Sequence, residues 1–410
     1  MNGFFAAMLR LRAFRPLAYR EFRLAAYGQI CGNFGTWMDE VSRGWLIYEL
    51  TDSAMQLGLV RGIQIIPFLL LSPLAGSATD RYSRKNLLII TQSLNAAIFA
   101  VMAALIFTGL VRPWHVYLVA FLAGMVAVFQ QPARSTMIGD TVPRELLTNA
   151  IGFGAMVFNV ARIVGPAIAG SLIVVTGTGG AFAVQSLMMV LATIWTFQLT
   201  GSHRTPGGRK ETFTQSVVEG WKFSWRSEPV RAGLMCTVLV SVLIAPFTTL
   251  LPVYARDLLD VGATGQGLML TAMGFGALVS AAMITAAGHR IPRGIFMLVF
   301  STLYGLVLLV FAASHSFALS LVVMFVTGLC HVNGNALVQT VIQSHSPPEF
   351  RGRTLALFAM AQVLTTGGGV LIGALAVPLG QRWAVAAMGI AGALSIVALA
   401  VAVPRARAIR

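Results

Sequence analysis

Charge is scarce in this chain. Asp, Glu, Lys and Arg make up only 10% of its 410 residues, where a soluble domain carries roughly 25%. That is too little to cover the surface of a water-soluble protein of this size. Cysteine is also rare: Cys31, Cys236 and Cys330 each lie inside an apolar stretch. Their odd number and the lack of C-x-x-C or Cys/His spacing exclude a disulfide framework and a zinc site. They read as small buried hydrophobes. No G-x-x-x-x-G-K-[ST] phosphate loop occurs, so the chain has no ATPase of its own. No H-E-x-x-H, G-x-S-x-G or Cys/His cluster supports a metalloenzyme, hydrolase or membrane protease, and no metal site is expected. The hydrophilic stretches are too short to form a soluble catalytic domain.

What the chain has is apolar mass, with 57% of its residues hydrophobic. Its apolar runs reach twenty residues and more without period-2 alternation. Lipid is the solvent that tolerates such a composition, and the runs favour helices over a barrel. The expected spans are 24–50, 54–78, 87–109, 114–138, 147–176, 180–200, 231–256, 263–288, 294–312, 316–342, 353–378 and 382–403. Each can cross a core of about 30 Å. The net charge of +15 would suggest nucleic acid in a soluble protein. Here the cations sit in short loops, with no stripe of cations interleaved with aromatics, so no nucleic-acid partner is expected. The basic residues 1–23 precede an apolar segment too long for a signal-peptide core, which points to an uncleaved first span.

Topology follows from the cations. With both termini cytoplasmic, the cytoplasmic segments hold 23 of the 29 Lys and Arg residues, and the external loops hold Arg112, Arg256 and Arg382. Arg43, Arg61 and Arg162 fall inside spans. A wrong span count would scramble this alternation. The expected organisation is a basic N-terminus (1–23), a six-helix bundle (24–200), a cytoplasmic linker (201–230), a second bundle (231–403) and a tail (404–410). In the linker, Phe213, Val217, Trp221 and Trp225 recur every four residues. They mark an amphipathic helix, lying on the membrane surface or packed on the bundle. The halves correspond at an offset of 204 residues: Phe121 with Phe325, Gly124 with Gly328, Thr136 with Thr340, Pro143 with Pro347, and Gly165 with Gly369. Such repeats mark transporters built from two halves.

One loop motif is specific. Gly76-Ser77-Ala78-Thr79-Asp80-Arg81-Tyr82-Ser83-Arg84-Lys85 has the form G-x-x-x-D-R-x-x-R-K. Gly76 allows two helix ends to approach. Asp80 is placed to pair with Arg134 near the end of span 4, or to sit at a helix N-terminus. The segment resembles the major facilitator signature between helices 2 and 3. Thr51-Asp52-Ser53-Ala54, Pro132-Ala133-Arg134, Val142-Pro143-Arg144-Glu145-Leu146 and Pro348-Glu349-Phe350-Arg351-Gly352-Arg353 are similar to the branch of bacterial enterobactin exporters and macrolide efflux proteins. The resemblance implies an all-α membrane fold of two pseudo-symmetric six-helix bundles. It also implies rocker-switch transport of a small molecule, usually outward, driven by the proton gradient without a cofactor. Gly76, Asp80, Arg81, Arg84, Lys85 and Arg134 would form the gate. The chain departs from the pattern at Ala78-Thr79, where Leu-Ala is common, and the second-half equivalent at 288–294 lacks the acid.

Ionisable residues inside spans are functional candidates by default. Asp39, Glu40 and Arg43 of span 1 and Arg61 of span 2 fall at similar depth. Asp39 or Glu40 is a candidate proton carrier, because a neighbouring arginine favours the ionised carboxyl and an apolar cavity disfavours it. A static salt-bridge cluster is the competing reading. Arg162 suits an anionic or carbonyl-rich substrate, or backbone carbonyls freed near Pro166. Asn33, Gln64, Asn335 and His331 are further cavity candidates, with Phe34, Trp37 and Phe158 to stack on a ring. Gly165, Pro166 and Gly170 fit, by the same resemblance, the helix 5 packing motif of antiporters. The expected protein is a monomeric exporter of siderophores, antibiotics or drugs in a bacterial inner membrane. A nutrient importer on the same fold stands as the alternative, and a sensor or membrane-embedded enzyme comes third.

Overall fold

The computed structural model describes residues 12–72, 82–200, 213–287 and 292–403. Among these residues there are helices and connecting turns and no strand. In chain order the helices are α1 (Arg20–Thr51), α2 (Ala54–Ser72), α3 (Arg84–Phe107), α4 (Pro113–Asp140) and α5 (Leu147–Phe197). There follow α6 (Phe213–Arg226), α7 (Glu228–Leu258), α8 (Gly262–Ala287) and α9 (Arg293–Ala313). The last three are α10 (Phe317–Ser344), α11 (Pro348–Leu379) and α12 (Gln381–Ala402). Ten of them, α2 to α5 and α7 to α12, are long and apolar enough to cross a membrane. α1 has the length, at 32 residues, but carries Asp39, Glu40 and Arg43.

Local chemistry sets many of the boundaries. Proline opens α4, α7 and α11 in the first two positions, where its missing N–H would have no helical partner. α5 is continuous for 51 residues except at Gly177, whose φ of 73° and ψ of 175° are not helical. Only glycine adopts that backbone without strain. The break falls between the expected spans 147–176 and 180–200 and separates two limbs. α7 is irregular: Val240–Ile244 and Tyr254–Leu258 are π-helical and Ala245–Leu250 is 3-10. Pro246 and Pro252 remove two helical donors within it.

The chain divides into two compact units, and they do not follow the sequence halves. The first holds residues 1–46 and 66–209, the second 47–65 and 210–410. In the first, Phe22, Ala26, Ala150, Phe153 and Val157 form one core cluster. Leu24, Ala25, Leu88, Ala133, Met137 and Leu199 form another. Glu21 accepts hydrogen bonds from the Thr200 hydroxyl (2.7 Å) and amide (3.1 Å), tying the start of α1 to the end of α5. In the second unit, α2 crosses α11 at glycine. A Cβ on Gly58 would lie 2.5 Å from the Gly369 carbonyl oxygen, and one on Gly373 would lie 2.8 Å from that of Ala54. Backbone contact of this kind supplies the packing that lipid, as apolar as leucine, does not drive.

Candidate transport site

The first unit gathers most of the predicted polar residues on and around α1. Asp39 and Arg43 stand one turn apart and form an ion pair. Both are buried, at 4% and 8% exposure, so neither charge is offset by water. One turn on the same helix, buried Ser42 accepts a hydrogen bond from Gln185 Nε2 at 2.8 Å. This holds α1 to the second limb of α5. Glu40 is half-buried. Arg61 belongs to the second unit, where its Cβ lies 3.0 Å from the position a Cβ on Gly369 would take. Of the four predicted coupling residues, the first unit therefore pairs Asp39 with Arg43.

Around the same helix, Arg134 Nη1 donates to Asn33 Oδ1 at 2.6 Å. Arg162 Nη2 donates to Asn159 Oδ1 at 3.0 Å, one turn away on α5. Among the described residues, Arg134 Nη2 and Arg162 Nε are buried without a hydrogen-bond partner. Trp37 packs edge-on against Phe158, with ring centroids 5.6 Å apart. Gly165 lies beside it, where a Cβ would stand 2.9 Å from that of Trp37. Pro166 and Gly170 are buried on the same helix. Phe34 is half-buried on α1.

The second unit holds the remaining candidates. Asn335 Oδ1 accepts from Gln362 Nε2 at 3.0 Å, and His331 stands edge-on to Tyr304 at 5.3 Å. Gln64 is half-buried, at a turn that interrupts α2. A pocket of about 220 Å³ is lined by Phe14, Thr148, Asn149, Gly152, Phe153 and Met156. None of these is among the predicted substrate residues.

Of the gate motif, Gly76, Asp80 and Arg81 lie outside the described residues. Arg84 and Lys85 open α3. Arg84 pairs with Asp140 at the end of α4, 2.5 Å away. Lys85 donates to the Leu199 carbonyl and stands over the Phe197 ring at 5.5 Å. Sequence reasoning missed Asp140, although an acid closing a span opposite a run of cations was a usable signal. It also missed a cluster in the second unit. There Tyr48 donates to Asp257, and Arg256 pairs with Asp52 at 2.8 Å and covers the Tyr48 ring at 5.2 Å. Asp52 turns the chain with a φ of 48°. The adjacent Arg256-Asp257 pair was visible, but its partners lie about 200 positions away in sequence.

The transmembrane secretion effector family model matches residues 11–409. The chain belongs to this family of major facilitator transporters. It is a transporter and not an enzyme. Among the relatives of this family member, the staphyloferrin A transporter of Staphylococcus aureus is 24% identical over 82% of this chain and 85% of its own length. The multidrug efflux pump Tap of Mycobacterium tuberculosis is 27% identical, over 82% of this chain and 81% of the pump. Macrolide efflux protein A of Streptococcus pyogenes is 25% identical, over 80% and 82%. These relatives match the siderophore and macrolide branch that the motifs resembled. The fold is shared with a bacterial homologue of the human lysosomal transporter spinster, at a TM-score of 0.73 and 12% identity over 95% of this chain and 96% of that one. A POT family transporter gives 0.74 and 14%, over 95% and 97%.

Proposed function

We propose that the chain is a proton-coupled exporter of small amphipathic molecules that works by alternating access. The names of its relatives favour siderophores, macrolides and other drugs as the substrate class. The single observation that carries the coupling is the buried Asp39–Arg43 ion pair on α1. Separating such a pair leaves a carboxylate in apolar surroundings, where taking up a proton costs less than staying ionised. A movement of α1 that parts the pair is thereby linked to proton uptake, and its return to release. Among the described residues, Arg134 and Arg162 each carry a buried N–H with no hydrogen-bond partner, which suits a substrate rich in carboxylate or carbonyl oxygen.

In this reading twelve helices span the membrane. They are the nine other apolar ones, α1, and the two limbs that Gly177 separates in α5. They form two six-helix bundles with both termini cytoplasmic, in a bacterial inner membrane, working as a monomer and drawing on the proton gradient with no cofactor. The test is proton flux in proteoliposomes loaded with candidate siderophores or macrolides. The wild type is expected to release protons against substrate. Asp39→Asn or Glu40→Gln is expected to retain substrate binding and lose the coupled flux. Full coupled transport in both variants would remove these acids as the carrier. Accumulation of the substrate by cells that express the chain would reverse the direction to import.

A further inference from the structure

α6 has three sectors. Gly220 and Ser224 share one face, which is buried. That face is seated on the start of α11: Phe223, at its edge, stacks on Phe350 with centroids 4.7 Å apart, and Arg353 pairs with Glu219 at 2.7 Å. At 100° per residue, Trp221, Trp225 and Val218 fill the next sector, and they are 55%, 53% and 51% exposed. Lys222 and Arg226 fill the third and are also exposed. The two indoles are fixed in place. They stack on one another at 5.5 Å, and Arg231, in the first turn of α7, lies 5.9 Å over Trp225 while donating to its carbonyl at 3.3 Å.

We propose that this free face of α6 binds the anionic phospholipid headgroups of the adjoining leaflet. Two residues after α6 ends, α7 begins its passage through the membrane, so α6 is tethered at the level of the interface. Indoles are stable at that level, with the ring among acyl carbons and the N–H toward water. Beside them stand the cations Lys222, Arg226 and Arg231. Of the nearby acids, Glu219 is taken by Arg353 and Glu228 is half-buried. An apolar sector bordered by cations is complementary to phosphate over hydrocarbon, and each cation near an anionic surface adds to the attraction. A water-facing role would leave two large rings wet for no gain.

The test uses the full chain in nanodiscs whose host lipid is zwitterionic. A minor fraction of lipid brominated near the headgroup end of its acyl chains quenches nearby indoles. Brominated phosphatidylglycerol is expected to quench severalfold more than brominated phosphatidylcholine at the same mole fraction. That excess should vanish in Trp221→Phe/Trp225→Phe and fall in Lys222→Gln/Arg226→Gln, which leaves the docked face of α6 intact. Equal quenching by the two lipids in the wild type would overturn the proposal, since the face would then touch the membrane without reading its charge. An excess that survives in the Phe variant would overturn it as well, because other tryptophans would be its source.

Discussion

Arg43 and Asp39 are useful to each other only as a pair. In an apolar bundle the desolvation of each is large, and its partner returns most of it. Removing one therefore costs more than removing both. Arg43→Met is expected to destabilise the protein by about 3–5 kcal/mol, the cost of breaking a buried pair by removing one member. The double variant Asp39→Asn/Arg43→Met should recover much of that loss. Thermal unfolding in detergent, read for both variants beside the wild type, checks the order. If the double variant is the less stable of the two, the pair is a structural clamp with further partners. The exposed Arg256–Asp52 pair differs: Asp52 has a side-chain exposure of 71%, and pairs of that kind contribute about 0–1 kcal/mol. Asp52→Asn should barely move the unfolding midpoint.

Among elements, the crossing of α2 and α11 is the most demanding contact. A Cβ on Gly58 would meet the Gly369 carbonyl oxygen at 2.5 Å, and a backbone atom cannot swing aside as a side chain does. Gly58→Leu is expected to force the helices apart, at a cost of roughly 1–3 kcal/mol or more. It should also lower the yield of folded protein, measured by monodispersity on size-exclusion chromatography. Gly152→Ala is the control, because nothing lies within 4 Å of its Cβ position. There the helix should gain about 0.5–1 kcal/mol from the lost glycine flexibility. The pattern of apolar residues announced both helices, but it gave no hint that Gly58 and Gly369 meet. Small residues in a span signal a close approach without naming the partner.

For the whole molecule, the telling fact is that residues 47–65 group with the second unit. The last turn of α1 and the first part of α2 are held there by Tyr48–Asp257, Asp52–Arg256 and the glycine crossing. If transport requires this joint to open, tying it shut stops turnover. In a background with Cys31, Cys236 and Cys330 replaced, Asp52→Cys/Arg256→Cys joined by a short bifunctional thiol reagent is expected to abolish substrate flux. A reductant that cleaves the reagent should restore it. Unchanged flux in the cross-linked protein would mean that the joint stays closed throughout the cycle. The cation count also predicts an orientation: a thiol placed in the loop at 73–83 is expected to label from the cytoplasmic side only.

The sequence by itself determined the solvent, the helices and the family. Too little charge for water, apolar runs of bilayer length and a loop signature at 76–85 are local properties that need no tertiary contact to read. The amphipathic helix was equally legible at Phe213–Arg226, because its period is carried by consecutive turns. Partner choice was decided only by the tertiary structure. Asp39 with Arg43 was foreseeable at one helical turn. Arg84 with Asp140, Asn33 with Arg134, and Tyr48 with Asp257 join residues about 55 to 210 positions apart. Which side chains face one another across a helix crossing depends on rotation and depth, and these are set by packing and not by any spacing along the chain.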